Sequence, residues 1–151
     1  MIRYSQVTRD IGLLPKFISY YEHELDEAKK ECSIKGVVET KLKLLPGITE
    51  HRFNQLQEID AVLEYLNIQL RQIRQIYYKK YLEKYNKALS SSDAKHYAYA
   101  EQDVIDYEVL INEVALLRNK FTGIIKAFEN KSFTVNSIIK LHTAGMEDII
   151  I

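Results

Sequence analysis

The fold of this chain is decided by residues 56–77, which read LQEIDAVLEYLNIQLRQIRQIY. In this stretch an apolar residue recurs after three and then four positions without a miss, at Leu56, Ile59, Leu63, Leu66, Leu70, Ile73 and Tyr77. We call these seven residues the seam. Heptad spacing of this kind is typical of a helix that packs along its length against other helices. Leucine at position a with isoleucine at d favours bundles over parallel dimers.

We predict a homo-oligomer that forms through two apolar surfaces. The first is the seam, because one hairpin would leave part of its apolar stripe in water; its predicted interface residues are Leu56, Ile59, Leu63, Leu66, Leu70 and Ile73. The second is the C-terminal tail Ile149, Ile150 and Ile151. A helix that has ended at Gly145 cannot bury all three isoleucines, so they pack either on their own chain or, as we favour, on a neighbouring subunit.

Outward from the seam, the sequence predicts further helices separated by turn signals. Four helical stretches are expected, with their boundaries as follows: residues 16–34 after Pro15; a short helix or extended piece at 37–45, between Gly36 and the turn Pro46-Gly47; 50–89, capped by Thr49; and 93–129, capped by Asp93 after a serine run and ended by Asn130. A last helix is expected over 134–143, closed by Gly145.

These elements predict an all-α fold in a single domain, with residues 1–47 as an N-terminal helical segment, 48–130 as a long helical hairpin and 131–151 as a C-terminal assembly helix and tail. Two long helices joined by a short break lie antiparallel. Residues whose numbers sum to about 182 should then face each other, which places Arg74 near Asp106 and Glu108, and Lys79 and Lys80 near Asp103 and Glu101.

Composition narrows the function classes only slightly. Basic and acidic residues balance at 21 each, and a single cysteine, Cys32, fits a reducing compartment. The sequence shows no secretory signal and no apolar run of membrane-spanning length, so we expect a cytoplasmic protein with no membrane partner. Charge is nevertheless segregated along the chain, because residues 51–90 carry seven bases and four acids whereas 91–151 carry six bases and nine acids.

The clearest functional candidate is the basic and aromatic stretch 71–87. Cations that follow phosphates and rings that stack on bases are what single-stranded nucleic acid requires. The predicted DNA-binding residues are Arg71, Arg74, Lys79, Lys80, Lys84, Tyr78 and Tyr81. The alternative is an ordinary solvated face whose cations pair across the hairpin with Glu101, Asp103, Asp106 and Glu108.

Signs of catalysis or metal binding are lacking in the sequence. The four histidines are scattered, no Gly-rich phosphate loop or nucleophile elbow occurs, and Cys32 has no neighbouring histidine. We therefore expect a protein that is not an enzyme, with no cofactor, no catalytic residue and no metal site.

Two stretches of the chain resemble the UvsY-type phage recombination mediators. Arg74-Gln75-Ile76-Tyr77-Tyr78 is similar to a family segment in which an Arg before two adjacent tyrosines contributes to DNA binding. The C-terminal stretch with Gly123, Ala127, Lys131, Phe133, Val135 and Ile138 resembles the family's final helical hairpin, which is associated with assembly into rings. The family's second basic residue falls on Gln72 here, and the first 45 residues or so do not align.

The resemblance implies a non-catalytic homo-oligomer that binds single-stranded DNA, displaces a single-strand binding protein and helps to load a RecA-like recombinase. Several weak sites linked in one oligomer would supply the affinity. The alternative is a structural or adaptor helical bundle, such as a phage virion or scaffold component, that does not bind DNA. Binding to DNA separates the two.

Overall fold

The structure, a computed structural model, describes residues 1–33, 38–84 and 88–145. Within these ranges it contains helices and no strand. The elements are α1 (Tyr4–Val7), a 3₁₀ helix (Ile11–Leu13), α2 (Leu14–Glu31), α3 (Val38–Glu83), α4 (Ser91–Tyr99) and α5 (Gln102–Thr143). The predicted all-α class is confirmed, and the predicted first helix corresponds to α2, with Pro15 in its first turn.

The long antiparallel hairpin is also confirmed, and it consists of α3 and α5. Arg74 forms an ion pair with Glu108, and Arg118 Nε lies 3.6 Å from Asp60 Oδ1. The residue numbers of these two pairs sum to 182 and 178, close to the predicted register.

The seam lies in the core of this single chain. Leu56, Ile59 and Leu66 are buried together with Phe17 of α2 and Phe121 of α5. Leu70 is also buried, at 6% exposure, and the remaining predicted interface residues of the seam, Leu63 and Ile73, are half-buried. The chain's own helices therefore cover most of the seam, and association of copies through it stays a prediction.

The predicted turn at Pro46-Gly47 is wrong, because α3 continues through both residues. A proline inside a helix costs about 3 kcal/mol, since it removes one backbone hydrogen bond and crowds the preceding turn. Burial of Leu45 at 5% exposure offsets part of this cost. Thr49, predicted as a helix cap, instead donates its hydroxyl hydrogen to the Leu45 carbonyl at 2.8 Å. Tertiary packing has overruled the local turn signal.

The predicted third helix is divided in two at Ala100-Glu101. Ala98 of α4 and Val104 of α5 are both fully buried. Six residues apart, they would point about 120° away from each other on an uninterrupted helix, at about 100° per residue. The break lets both sides pack inward. Ser90, not Asp93, caps α4, because its hydroxyl accepts a hydrogen bond from the Asp93 amide at 3.1 Å.

The predicted helix end at Asn130 is wrong as well, since α5 runs without interruption to Thr143. Phe128, Lys131 and Val135 are buried at helical spacing on both sides of Asn130. Asparagine tolerates the left-handed conformation but does not require it, so continued packing keeps the helix intact. Gly145 does adopt a left-handed conformation, with φ of 80°, just after the helix.

A buried polar cluster, which we call the Arg52 cluster, joins α2 to α3. Arg52 is 3% exposed, and its guanidinium lies 2.7 Å from Glu24 Oε2 and 2.8 Å from Glu31 Oε1. Gln55 donates to the same Glu24 oxygen at 2.7 Å. Burial alone would raise the pKa of Glu24, but the hydrogen bonds from Gln55 and Arg52 outweigh it and hold that pKa below its usual value. Each charge in the cluster is therefore compensated.

Candidate nucleic-acid interface

The predicted DNA-binding residues lie on the last turns of α3 and just beyond it. Their exposure divides them into two groups: Arg71, Lys79, Lys80 and Lys84 are exposed, whereas Arg74, Tyr78 and Tyr81 are half-buried. Helix α3 ends at Glu83, so Lys84 follows its last residue. Tyr85 and Lys87, which belong to the same basic stretch, lie outside the described residues.

Helix α4 packs against this part of α3 through small side chains. Ala94 and Ala98 are fully buried, and alanine allows the backbones of two helices to approach closely. Lys95 and Tyr99 follow each of these alanines by one residue and are exposed. The short helix therefore carries a cation and a ring to the edge of α3.

Between α3 and α4 lies an open groove of about 540 Å³, which we call the α3–α4 groove. It is lined by Arg71, Arg74, Gln75, Tyr78, Ser91, Ser92, Lys95 and Tyr99. The lining thus combines three cations and two aromatic rings with three polar uncharged groups but includes no carboxylate. Such a lining favours an anionic ligand that carries planar groups.

The three cations of the groove differ in how they are held. Arg71 and Lys95 form no ion pair with any residue in the described ranges. Arg74 pairs with Glu108, and its Cζ lies 4.5 Å from the centre of the Tyr99 ring. Lys95 Nζ lies 5.5 Å from the same ring. Arg74 is therefore positioned by its neighbours, while Arg71 and Lys95 keep their charge available to a ligand.

The acidic residues at and just before the start of α5 have only some of the predicted partners. Arg74 pairs with Glu108 as predicted. Lys79 and Lys80, which were predicted to lie near Asp103 and Glu101, make no ion pair within the described part of the chain. Tyrosine hydroxyls approach these acids instead, as the following contacts show.

Tyr77 donates its hydroxyl hydrogen to Asp103 Oδ2 at 2.6 Å. This hydrogen bond raises the pKa of Tyr77 to about 12, since it stabilises the protonated phenol. Tyr81 donates in the same way to Glu101. Lys80 Nζ lies 5.6 and 5.7 Å from the Tyr77 and Tyr81 rings, within range of a cation–π interaction.

Tyr81 and Tyr78, both predicted to stack on bases, have different surroundings. The ring of Tyr81 stacks on Tyr97 of α4, with centroids 5.5 Å apart and planes at 28°. Its hydroxyl is bound as well, so Tyr81 joins α3 to α4. Tyr78 faces the α3–α4 groove. Of the two, only Tyr78 lines the groove.

Sequence reasoning missed the contribution of α4 to this groove. Lys95, Tyr99, Ser91 and Ser92 were not among the predicted site residues, yet they line it with Arg71, Arg74 and Tyr78. A signal was present, because Lys95 and Tyr99 are four residues apart and share one face of any helix that starts in the serine run. Because the sequence predicts one continuous third helix, it did not indicate that this face lies beside the end of α3.

Three further predictions from the sequence concern the C-terminal tail, metal binding and the membrane. The tail residues Ile149, Ile150 and Ile151 lie outside the described residues. Within the described ranges, no cluster of three or more His, Cys, Asp or Glu side chains could hold a metal ion. No helix in the same ranges is both long and apolar enough to cross a membrane.

Comparison of the chain with protein-family models, with curated proteins and with solved structures found no match.

Proposed function

We propose that this protein is a non-catalytic, single-stranded DNA-binding recombination mediator that helps to load a RecA-like recombinase in competition with a single-strand binding protein. The observation that carries the proposal is the α3–α4 groove, where Arg71 and Lys95 have no ion-pair partner within the described residues and Tyr78 lines the same space. Cations of this kind bind successive phosphates, and an accessible ring stacks on a base. The mediator role itself rests on the resemblance of Arg74-Gln75-Ile76-Tyr77-Tyr78.

A second candidate function is that of a structural or adaptor helical bundle, for instance in a phage virion or scaffold. The observation that favours it is the set of contacts across the hairpin: Arg74 with Glu108, Tyr77 with Asp103, and Tyr81 with Glu101. These contacts give much of the basic and aromatic stretch an architectural role that needs no ligand.

DNA binding is best tested with Arg71→Gln combined with Lys95→Gln, because neither cation stabilises the fold through an ion pair with a described residue. Fluorescence anisotropy with an oligodeoxythymidine strand, repeated over a range of salt concentrations, measures the affinity and its salt dependence. Each phosphate contact contributes about 0.7 to the slope of log K against log salt on single strands. The double variant should therefore bind more weakly and lose about 1.4 from the slope.

The matched control is Arg9→Gln combined with Lys16→Gln, which removes two exposed cations near α1 and α2. The control has the same net charge as the groove variant, so a purely non-specific charge effect would weaken both equally. Equal affinities for the two variants would contradict the assignment of the groove. Absence of binding by the wild-type protein would leave the structural candidate.

The aromatic part of the site is tested separately with Tyr78→Ala and Tyr78→Phe. Stacking contributes about 1–3 kcal/mol per base and releases few counterions. Tyr78→Ala should therefore weaken binding about 5- to 150-fold with little change in the salt slope, and Tyr78→Phe should keep most of the affinity. Equal losses in both variants would assign the effect to the hydroxyl instead.

The mediator role needs its own measurement, which is the DNA-dependent ATPase of a RecA-like recombinase on strands already covered by a single-strand binding protein. The wild-type protein should shorten the lag before ATP hydrolysis begins, and the Arg71→Gln, Lys95→Gln variant should not. DNA binding without any effect on the lag would keep the groove and reject the mediator role.

A further inference from the structure

Helix α5 carries a second apolar stripe, on the face that points away from the core. Ile105, Val109 and Leu116 are 39%, 51% and 57% exposed. The spacing of four and seven residues continues through Asn112 and Asn119, which are also exposed, and all five positions follow one heptad pattern. A solvated helix face has no need of aliphatic residues at heptad spacing, whereas a face that packs on another helix does.

The charges beside this stripe are segregated along the helix. Asp106 and Glu113 flank its first half, and Lys120 and Lys126 flank the region after Leu116. All four side chains are exposed, and none of them forms an ion pair with another residue of the described ranges. The outer face of α5 is therefore acidic at one end and basic at the other.

We propose that the outer face of α5 is the contact surface for a second copy of this chain, with the two α5 helices packed antiparallel about a two-fold axis. Such an axis brings the acidic half of each helix opposite the basic half of the other. Parallel pairing would instead place Asp106 on Asp106, and Lys126 on Lys126. Charge complementarity thus selects both the partner and its direction.

The proposed contact extends over several turns of α5 and involves exposed residues that are not part of the core. Residues 105–126 of α5 span about 32 Å at about 1.5 Å per residue. Gly123 continues the stripe, and a Cβ added there would meet no atom within 4 Å apart from its chain neighbours and the adjacent backbone of its own helix, so this chain alone does not require glycine at the position. The proposal uses none of the residues of the α3–α4 groove and is independent of DNA binding.

The first test is the molar mass by light scattering at micromolar protein concentration. The wild-type chain should approach twice its mass of 17.7 kDa, and Leu116→Asp should return to a single chain with unchanged helical content by circular dichroism. The control is Ile76→Asp, which charges a comparably exposed residue of α3, 65% exposed, and should keep the larger mass. A monomeric wild type, or a Leu116→Asp variant that keeps the wild-type mass, would overturn the proposal.

A charge exchange tests the antiparallel direction without placing a charge in the apolar stripe. Glu113→Lys alone and Lys120→Glu alone should each weaken the dimer. Either substitution leaves like charges facing each other across the two-fold axis. The double variant restores opposite charges and should recover most of the association. A double variant that dissociates more than both single variants would contradict the antiparallel arrangement.

Cysteine cross-linking in a Cys32→Ser background gives an independent answer. Val109→Cys and Gly123→Cys both lie on the stripe and are about 14 residues apart, roughly 21 Å along the helix, so neither should cross-link to itself in an antiparallel dimer. A mixture of the two variants should form the mixed disulfide, because a disulfide needs Cα atoms within about 7 Å. Efficient self-linking of each variant, without mixed product, would indicate parallel pairing and reject the proposal.

Discussion

The two ends of the helical hairpin use arginine in opposite ways. At one end Arg52 is 3% exposed and is surrounded by Glu24, Glu31 and Gln55, which satisfy its guanidinium. At the other end Arg71 is exposed and forms no ion pair within the described ranges, on the edge of a groove that lacks carboxylates. Arg52 holds α2 and α3 together. The charge of Arg71, in contrast, is not compensated by any residue of the described ranges.

This difference separates structural cations from candidate binding cations by how far their charge is compensated. A buried charge must be paired, because desolvation would otherwise cost several kcal/mol. An exposed charge pays no such penalty, so its position in a groove needs another explanation. Four sets of variants test this separation of the two kinds of cation.

The largest effect is expected for Arg52→Ala. Removing one partner of a buried ion pair leaves the other charges uncompensated and costs about 3–5 kcal/mol. The substitution strands Glu24 and Glu31 between α2 and α3, so urea denaturation should show a loss of this size in the free energy of unfolding. Arg71→Ala, at the open end, should change the same quantity by less than about 0.5 kcal/mol. Comparable losses in both variants would remove the distinction between the two ends.

The next effect has the opposite sign and concerns Pro46, one helical turn and a half from Arg52. If packing keeps α3 continuous against the preference of proline, Pro46→Ala should stabilise the protein by up to about 3 kcal/mol. The thermal midpoint should rise and helical content should stay equal or increase. A destabilised Pro46→Ala variant would mean that the proline ring itself contributes necessary packing near Leu45.

A smaller effect is expected from the acid dependence of the Arg52 cluster. The folded protein lowers the pKa of Glu24 below its ordinary value of 4.5. The resulting stabilisation is complete above that ordinary value and is lost as the pH falls through the lower folded value. Glu24→Gln should therefore be less stable than wild type at pH 7, by about 1.5–3 kcal/mol for hydrogen bonds to a charged group. The difference should shrink below about pH 4.5.

The sequence predicted the elements that repeat over many residues. The seam predicted the long helix, and the antiparallel register that it implied placed Arg74 opposite Glu108. Periodicity is reliable here because all seam residues lie on the same face of the helix, so the prediction does not depend on any single residue.

The sequence failed where one local signal competed with packing. Pro46 and Asn130 each indicate a helix end, yet burial of Leu45 and of Phe128, Lys131 and Val135 keeps both helices continuous. The break at Ala100-Glu101 carries no proline or glycine and depends on burying Ala98 and Val104 together. Because that break sets the position of α4, the contribution of Lys95 and Tyr99 to the groove was out of reach as well.

The smallest expected effect belongs to the Arg74–Glu108 pair, which lies on the boundary between the two kinds of cation. Their side chains are 31% and 41% exposed, so solvent screens the pair, and a double-mutant cycle with Arg74→Ala and Glu108→Ala should give a coupling of about 0.2–1 kcal/mol.

Arg74 also lies over Tyr99 in the groove, 4.5 Å from the ring centre. If Arg74 binds DNA, Arg74→Ala should lower the salt slope by about 0.7, while Glu108→Ala, which frees the guanidinium, should leave affinity equal or higher. If Arg74 is purely structural, both substitutions should lower the thermal midpoint together and leave any DNA affinity unchanged. Measuring stability and affinity on the same four proteins therefore assigns Arg74 to one end of the comparison or to both.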